Sequence, residues 1–389
     1  MKMKKWVCFG VLVAGSVLLF GCGATNSDAE NVSGVNATEV GSVTESKTEG
    51  NGLNAGITFP EYYENIVDHV NFGMDIIIQA DLAEKEPVIA RAQMKKVDEK
   101  EALRLFFSSI DQYDTYEYEG ENEHGETVNK GTYVSPEETT LSYGPVSSQM
   151  TYMERDLMPF IRSAFTLDPA DERYNADLYS TTDNLSFKTR DEAFQEIADA
   201  LAEVNMEFEY DYTGYALRHG ILQSQEYHTD IDGNIDVAQY KGQWSSADEG
   251  YYFCIGQKYR DLPLYHVYYE IFSDVVDANT PVQAFVSADG IEYLQIEKIF
   301  DVSEEKTGVQ LLPIDAIAET VADKYNQILG DSTYEIAEAE LCYYVDLSSG
   351  MGVYDVKPVW IVKGVEKAGQ NEHYIQVIVD AQTAKEIIP

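Results

Sequence analysis

The groups in this 389-residue chain that could move protons, bind metal or attack a substrate are six histidines, four cysteines and a large excess of carboxylates. Spacing decides whether any of them can act together. The stretch closest to a metal loop is Asp230-Ile-Asp232-Gly233-Asn234-Ile-Asp236. Calcium takes carboxylate and carbonyl oxygens, and its loops turn on a central glycine and close on a bidentate glutamate. With Gly233 as the turn glycine, His228 falls at the first ligand position and Gln239 at the closing one. Imidazole suits a hard cation poorly, and a neutral amide brings one uncharged oxygen. The stretch is therefore read as a hairpin turn, with weak calcium binding as the lesser alternative and no other cofactor expected.

Ser303-Glu-Glu-Lys306 and Lys306-Thr-Gly308 have the letters of a Ser-x-x-Lys nucleophile and a Lys-Thr-Gly strand. Enzymes that use both place them far apart in sequence, as two walls of one site. Here they share a lysine, so they cannot form two walls. His69, His124, His219, His228, His266 and His373 lack a cysteine or second histidine at ligand spacing. There is no Gly-x-Ser-x-Gly, no His-Glu-x-x-His and no Walker-type glycine loop. With 68 acidic residues, neighbouring carboxylates are expected everywhere and do not by themselves point to acid–base chemistry. No catalytic residue is assigned.

Where any chemistry would operate is set by the N-terminus. Lys2, Lys4 and Lys5 precede an apolar run from Trp6 to Phe20, which ends in Leu19-Phe20-Gly21-Cys22. This is the layout of a secretory signal peptide. The run is about fifteen residues, short of the roughly 20 that a spanning helix needs. The Leu-x-Gly-Cys ending resembles the lipobox of bacterial lipoproteins. The resemblance implies that Cys22 is the lipidation site, that residues 1–21 are removed, and that the protein is lipid-anchored on the extracellular face of the cell membrane. Two acyl chains give a stable anchor, since each buried methylene contributes about 0.8 kcal/mol. Residues 22–56 contain no aromatic residue and few large apolar ones. They cannot bury enough surface to offset ordering entropy. They read as a disordered tether with a root-mean-square reach of roughly 30 Å.

The formal charge of −41 falls to −44 once the three leader lysines leave. Such an acidic surface argues against nucleic acid and against direct binding to anionic lipid; it is read as solubilisation of an exported protein, with attraction of cations or basic partners as the alternative. Cys254 and Cys342 lie in apolar, strand-like runs. Two buried thiols or one disulfide both fit, because a bridge requires Cα atoms within about 7 Å. The 28 tyrosines cluster at Tyr62-Tyr63, Tyr113/Tyr116/Tyr118, Tyr251-Tyr252, Tyr268-Tyr269 and Tyr343-Tyr344. Aromatic residues favour pleated, half-buried positions, so strand packing is the expectation and a saccharide-stacking platform the alternative.

The rest of the chain reads as α+β, helices packed on twisted antiparallel sheets, in two to three units: 57–184, 185–302 and 303–389. In the first, Tyr63, Ile66, Val67 and Val70 recur at helical spacing and predict a helix over 59–70. Strands over 74–80 and 88–94 follow, then a helix capped by Asp98 with Glu101 at the capping-box position. A meander from 113 to 143 and a short helix over 153–165 complete the unit. The second opens with an amphipathic helix through Ala193, Phe194, Ile197, Ala198 and Leu201. Strands over 207–212, 215–227, 251–256, 264–272, 282–287 and 291–300 come next, with Asp289-Gly290 a two-residue hairpin signal. The third follows a polar break at 303–308. Its helix runs through Pro313, Ile314, Ile317, Ala318, Val321, Ala322 and Tyr325, with Gly330 past its end. Strands over 334–347, 353–362 and 374–388 finish the chain. Helix followed by strands thus occurs twice, which reads as a degenerate internal duplication.

Asp355-Val-Lys-Pro358-Val-Trp360-Ile-Val, followed by Tyr374-Ile-Gln-Val-Ile-Val-Asp380-Ala-Gln-Thr383-Ala-Lys-Glu-Ile, resembles a PepSY-type or YycI-type extracellular module over roughly residues 309–389. The resemblance implies a helix over a small antiparallel sheet. Where the motif has glycine this chain has Ala384, which implies a turn of another type. Trp360 is expected in the core, against the 314–325 helix. The whole layout, including Val70 to Ile78, also resembles uncharacterised lipoproteins of clostridial-type Firmicutes. Neither resemblance supplies a catalytic residue. The PepSY/YycI-type resemblance implies binding or regulation of another exported or membrane protein, and with no catalytic motif found a non-catalytic lipoprotein of that kind is the first expectation. A ligand-capture lipoprotein for saccharide, peptide or calcium is the second expectation, and a surface hydrolase the third.

Overall fold

The computed structural model describes residues 58–388, except 109–111, 155, 169–170, 267–279, 307–308 and 329. The leader, Cys22, the 22–56 tether and Tyr268-Tyr269 lie outside the described residues. The chain begins with β1 (Tyr62–Val67), β2 (Val70–Ile77) and β3 (Ile89–Met94). A helix predicted over 59–70 is therefore a hairpin, turned at Asp68 with a left-handed φ of 51°. The helical spacing misleads because Ile66 is exposed, while Val70, Phe72 and Met74 alternate into a core. Helix α1 (Glu99–Phe107) follows, and Asp98 caps it by accepting the Lys100 and Glu101 amides, both at 3.1 Å. The Glu101 carboxylate turns instead to Arg104, at 2.5 Å.

The meander β4 (Asp114–Glu121), β5 (Thr127–Val134), β6 (Thr140–Tyr143) and β7 (Met150–Met153) leads to α2 (Met158–Ala164) and α3 (Arg190–Glu203). A full Thr189–Glu192 capping box starts α3. After β8 (Tyr210–Leu217), residues expected to continue as a strand form α4 (His219–Gln225). Then come β9 (Gly250–Tyr259), β10 (Leu262–Tyr265), β11 (Val282–Ser287), β12 (Gly290–Ile296), β13 (Phe300–Lys306), α5 (Ile314–Asn326), β14 (Thr333–Asp346), β15 (Tyr354–Ala368), β16 (Asn371–Asp380) and β17 (Glu386–Ile387).

Two sheets result. In the first the order is β4-β5-β6-β7-β12-β11-β9-β8, antiparallel throughout. The α3 residues Ala193, Phe194, Ile197 and Leu201 bury against it. The second is built on the long β14–β15 ladder. The outer edge of β14 carries β2 and then β10, both parallel, and β15 carries β16 and then β3, with β13 beyond β3. Helix α5 packs its Ile317, Ala318 and Val321 on this sheet together with Val70, Phe72 and Trp360. The protein is a strand-dominated mix of α and β. The expectation of purely antiparallel sheets is corrected by the two parallel pairings.

Strand pairing also crosses the expected unit boundaries. The first-unit strands β2 and β3 complete the C-terminal sheet, and β13 runs through the 302/303 boundary and pairs with β3. All described residues fall in one compact unit. The β9–β10 hairpin passes from one sheet to the other. Gln257 ties them, donating to the Phe300 carbonyl at 2.6 Å and accepting the Phe300 amide at 3.0 Å. Cys254 on β9 and Cys342 on β14 are not joined by a disulfide.

Candidate functional site

Between β8 and β9 the chain leaves the first sheet for residues 218–249. Leu222 of α4 enters a core with Met158 and Ile161 of α2, which fixes the start of the excursion. Its centre is Glu226, a buried acid. The carboxylate accepts the Trp244 indole N–H at 2.8 Å and the Lys241 amide at 2.5 Å, and lies 3.2 Å from Nε2 of His228. Trp244 is buried beside Tyr252 and Phe285, so the returning limb is pinned to the same core. The Lys241 ammonium reaches Asp248 at 2.9 Å and sits over the Trp244 ring. Asp248 in turn accepts the Ser245 amide at 2.7 Å, and the Lys241 and Ser245 contacts outweigh its burial and hold its carboxyl below the usual range.

The far end is a small hairpin. Thr229 bridges Ile235, and the Asp230 amide donates to the Asn234 carbonyl at 2.8 Å. The Asp230 carboxylate accepts the Asn234 and Asp232 amides, both at 2.9 Å, and these bonds hold its pKa below the ordinary value. The hairpin expected from Asp232-Gly233 is what forms, with Gly233 at φ 81°. Asp230, the first carboxylate of this stretch, is turned onto the loop's own amides. Among the described residues no three or more His, Cys, Asp or Glu side chains are grouped to hold a metal.

On this tip three branched aliphatic side chains face water: Ile231 is 101% exposed, Ile235 61% and Val237 73%. Folding gains from burying such groups, roughly 1.5–3 kcal/mol each, and three within seven residues are left out. Below the tip, Glu249 is buried and sits 2.6 Å from Nδ1 of the half-exposed His219. A carboxylate at this distance fixes the ring's orientation, as in acid–base sites. Neither His219 nor His228 hydrogen-bonds to a serine, threonine or cysteine among the described residues.

A second polar group lies on the face of β14–β15 away from α5. Lys363 pairs with Glu338 at 2.6 Å and Glu340 at 3.8 Å, and Gln79 donates to Glu340 at 2.9 Å. Burial raises Glu340, and the nearby Asp211 carboxyl, also raised by burial, adds to the shift. Cys342 beside them is fully buried and its thiol is pushed up by burial, so it stays protonated. His266, packed on Phe300, is pushed down to about 3 by burial and is neutral at physiological pH. Lys363, Glu338, Glu340 and Gln79 bond to one another across strands.

Of the residues marked in the sequence, Tyr251, Tyr252, Tyr343 and Tyr344 are buried, which removes the central sheet as a stacking platform. Tyr116 and Tyr118 on β4 are exposed. Trp360 is fully buried, its ring 5.3 Å from that of Phe59. Glu226, Trp244 and the His219–Glu249 pair were missed. The available signal was an isolated tryptophan in the polar stretch Gln243-Trp244-Ser245-Ser246, where only a buried partner would retain it.

No family model and no curated protein sequence matches the chain. In three dimensions it is similar to an uncharacterised protein from Eubacterium rectale, at 15% identity and a TM-score of 0.59, covering 85% of this chain and 94% of that one. That likeness shows the fold. The C-terminal domain of Bacillus megaterium YpeB aligns over 75% of this chain and 96% of its own length, at 9% identity and a TM-score of 0.28.

Proposed function

We propose that this chain is a non-catalytic lipoprotein, anchored through Cys22 on the extracellular face of the cell membrane, that binds another exported or membrane protein through the 218–249 excursion. The observation that carries the reading is the pairing of a rigid base with an apolar tip. Glu226 and Trp244 hold the base, so docking Ile231, Ile235 and Val237 costs little further ordering entropy, and that is the usual route to affinity for a small contact. Loops held by a rigid scaffold are where binding residues concentrate. Among the described residues no helix is long and apolar enough to cross a membrane; the lipid anchor is read from the Leu19-Phe20-Gly21-Cys22 pattern. The C-terminal part, α5 followed by β14, β15 and β16, is read as the PepSY/YycI-like module, here with β2 and β10 added to its edge.

Two variants test the parts separately. Cys22→Ser should release the protein from the membrane fraction and lose the acyl mass; unchanged attachment and lipid content overturn the anchor. A photo-crosslinking residue at position 231, used on intact cells, should capture one defined exported or membrane protein that the same residue at exposed Asn371 does not. Identical capture from both positions removes the excursion as the docking element. Truncation after Leu312 is not a clean test, because β2 would lose β14 and β3 would lose β15.

A second reading, capture of a saccharide or peptide, is favoured only by the exposed tyrosines of β4. Titration calorimetry with cell-wall fragments on the parent chain and Tyr116→Ala decides it.

A further inference from the structure

We propose that the open edge of β4 receives an extended segment of a partner protein in which basic and apolar residues alternate. Among the described residues the eight-residue strand β4 pairs with β5 alone, in unbroken register from Asp114↔Val134 to Glu121↔Thr127. It is the last strand of the first sheet, and all its residues except Gly120 are exposed. Its outer row of amides and carbonyls therefore stands ready for another strand. Asp114-Thr-Tyr-Glu-Tyr-Glu-Gly-Glu121 has no proline, bulge or lysine, and the charges that guard the edge are all negative, so they repel acidic strands and admit basic ones.

The two faces of the strand differ. Side chains alternate, so Tyr116 and Tyr118 share one face while Glu117, Glu119 and Glu121 share the other. Opposite these three glutamates β5 offers Gly131, Asn129 and Thr127, none of them cationic. They form no ion pair among the described residues; the one lysine of β5, Lys130, is committed to Glu99 at 2.7 Å. Tyr118 is braced by donating its hydroxyl to the Tyr143 carbonyl at 2.5 Å, which leaves Tyr116, 59% exposed, as the freer ring. An added strand would place every second residue on the tyrosine face and the others on the carboxylate face. Apolar or aromatic residues suit the first and lysine or arginine the second. A second copy of this chain is disfavoured, since two β4 edges would set glutamate against glutamate. Backbone bonds then supply affinity and the alternation supplies selection, as in other strand-addition complexes.

The proposal concerns a surface other than the 218–249 tip, and its test is independent of that reading. The full chain is titrated calorimetrically with a peptide of about ten residues alternating lysine and valine, long enough to cover the strand. A peptide of the same composition in two blocks and one alternating glutamate and valine are the controls. The alternating basic peptide should bind about tenfold more tightly than the blocked one, and hydrogen exchange should slow along 114–121. In a Glu117→Lys/Glu119→Lys chain the preference should pass to the glutamate peptide. Equal binding of alternating and blocked peptides, or an unchanged preference in the double variant, overturns the proposal. An Ile231→Ser/Ile235→Ser chain should bind the peptide as the parent does, which separates this surface from the tip.

Discussion

The indole N–H of Trp244 donates to the buried carboxylate of Glu226 at 2.8 Å, and that one bond closes the base of the 218–249 excursion. The same acid accepts the Lys241 amide. Glu226→Ala leaves both donors buried without an acceptor, which costs about 2–4 kcal/mol. Glu226→Gln keeps an oxygen acceptor and should cost about 1 kcal/mol. Urea unfolding gives the magnitudes. Hydrogen exchange over 226–249 should rise in the alanine variant even where the sheet stays protected.

Ala384 occupies the left-handed region, at φ 52°, although the sequence implied another turn type there. The turn is held by its neighbours. The Asp380 carboxylate accepts the Gln382 and Thr383 amides, both at 3.0 Å, and Thr320 of α5 donates to the Ala384 carbonyl at 2.6 Å. A left-handed alanine costs roughly 1–2 kcal/mol, while glycine adds about 0.4–1 kcal/mol of unfolded-chain entropy. The first effect is larger, so Ala384→Gly should stabilise the chain by about 0.5 kcal/mol in urea unfolding. A destabilised variant would show that the turn does not hold alanine in strain.

The Glu340 group gives the pH dependence an unusual sign. Its folded pKa lies above the ordinary 4.5, chiefly through burial, so the folded chain binds more protons there than the unfolded one. Its contribution is fully present below the ordinary value and is lost as pH rises through the folded one. Lys363 and Gln79 offset the burial, Glu338 and Asp211 add to it, and Asp211 is raised in the same sense. Glu340→Gln should therefore gain stability relative to the parent from about pH 4.5 upward, with little difference below. Unfolding midpoints across that range check it. A constant offset at every pH would assign the effect to packing. Asp230 and Asp248, held below their ordinary values, act oppositely and lose their contribution as pH falls.

Trp360 is fully buried, and its Nε1 has no hydrogen-bond partner among the described residues. Removing the ring altogether, as in Trp360→Ala, should cost about 3–5 kcal/mol. Trp360→Phe also leaves a void, yet it removes a buried unpaired N–H worth about 1–3 kcal/mol. The phenylalanine variant should accordingly lose less than about 2 kcal/mol, with an unchanged circular dichroism spectrum. Similar losses for both variants would mean that the indole N–H is satisfied in solution.

Much of the local structure was legible because it depends on neighbours in sequence. The Asp98 cap, the periodic apolar faces of α3 and α5 and the hairpin at Gly233 are short-range physics. Trp360 in the core followed from the apolar run around it. Three features escaped for the opposite reason. The 59–70 segment has helical spacing, but β1 pairs with β2 instead, and β2 is held in turn by a parallel edge of β14, more than two hundred residues later. Within the polar break at 303–308, residues 303–306 are strand because β13 pairs with β3. The Glu226–Trp244 clasp joins residues that local pattern gives no reason to connect. By itself, then, the sequence determined the acidic charge, the leader pattern and the starts of α1 and α5, all properties of composition or of adjacent residues. Tertiary structure decided which strands share a sheet, which tyrosines are hidden and which aliphatic side chains are left in water, because burial and pairing depend on what arrives from elsewhere in the chain.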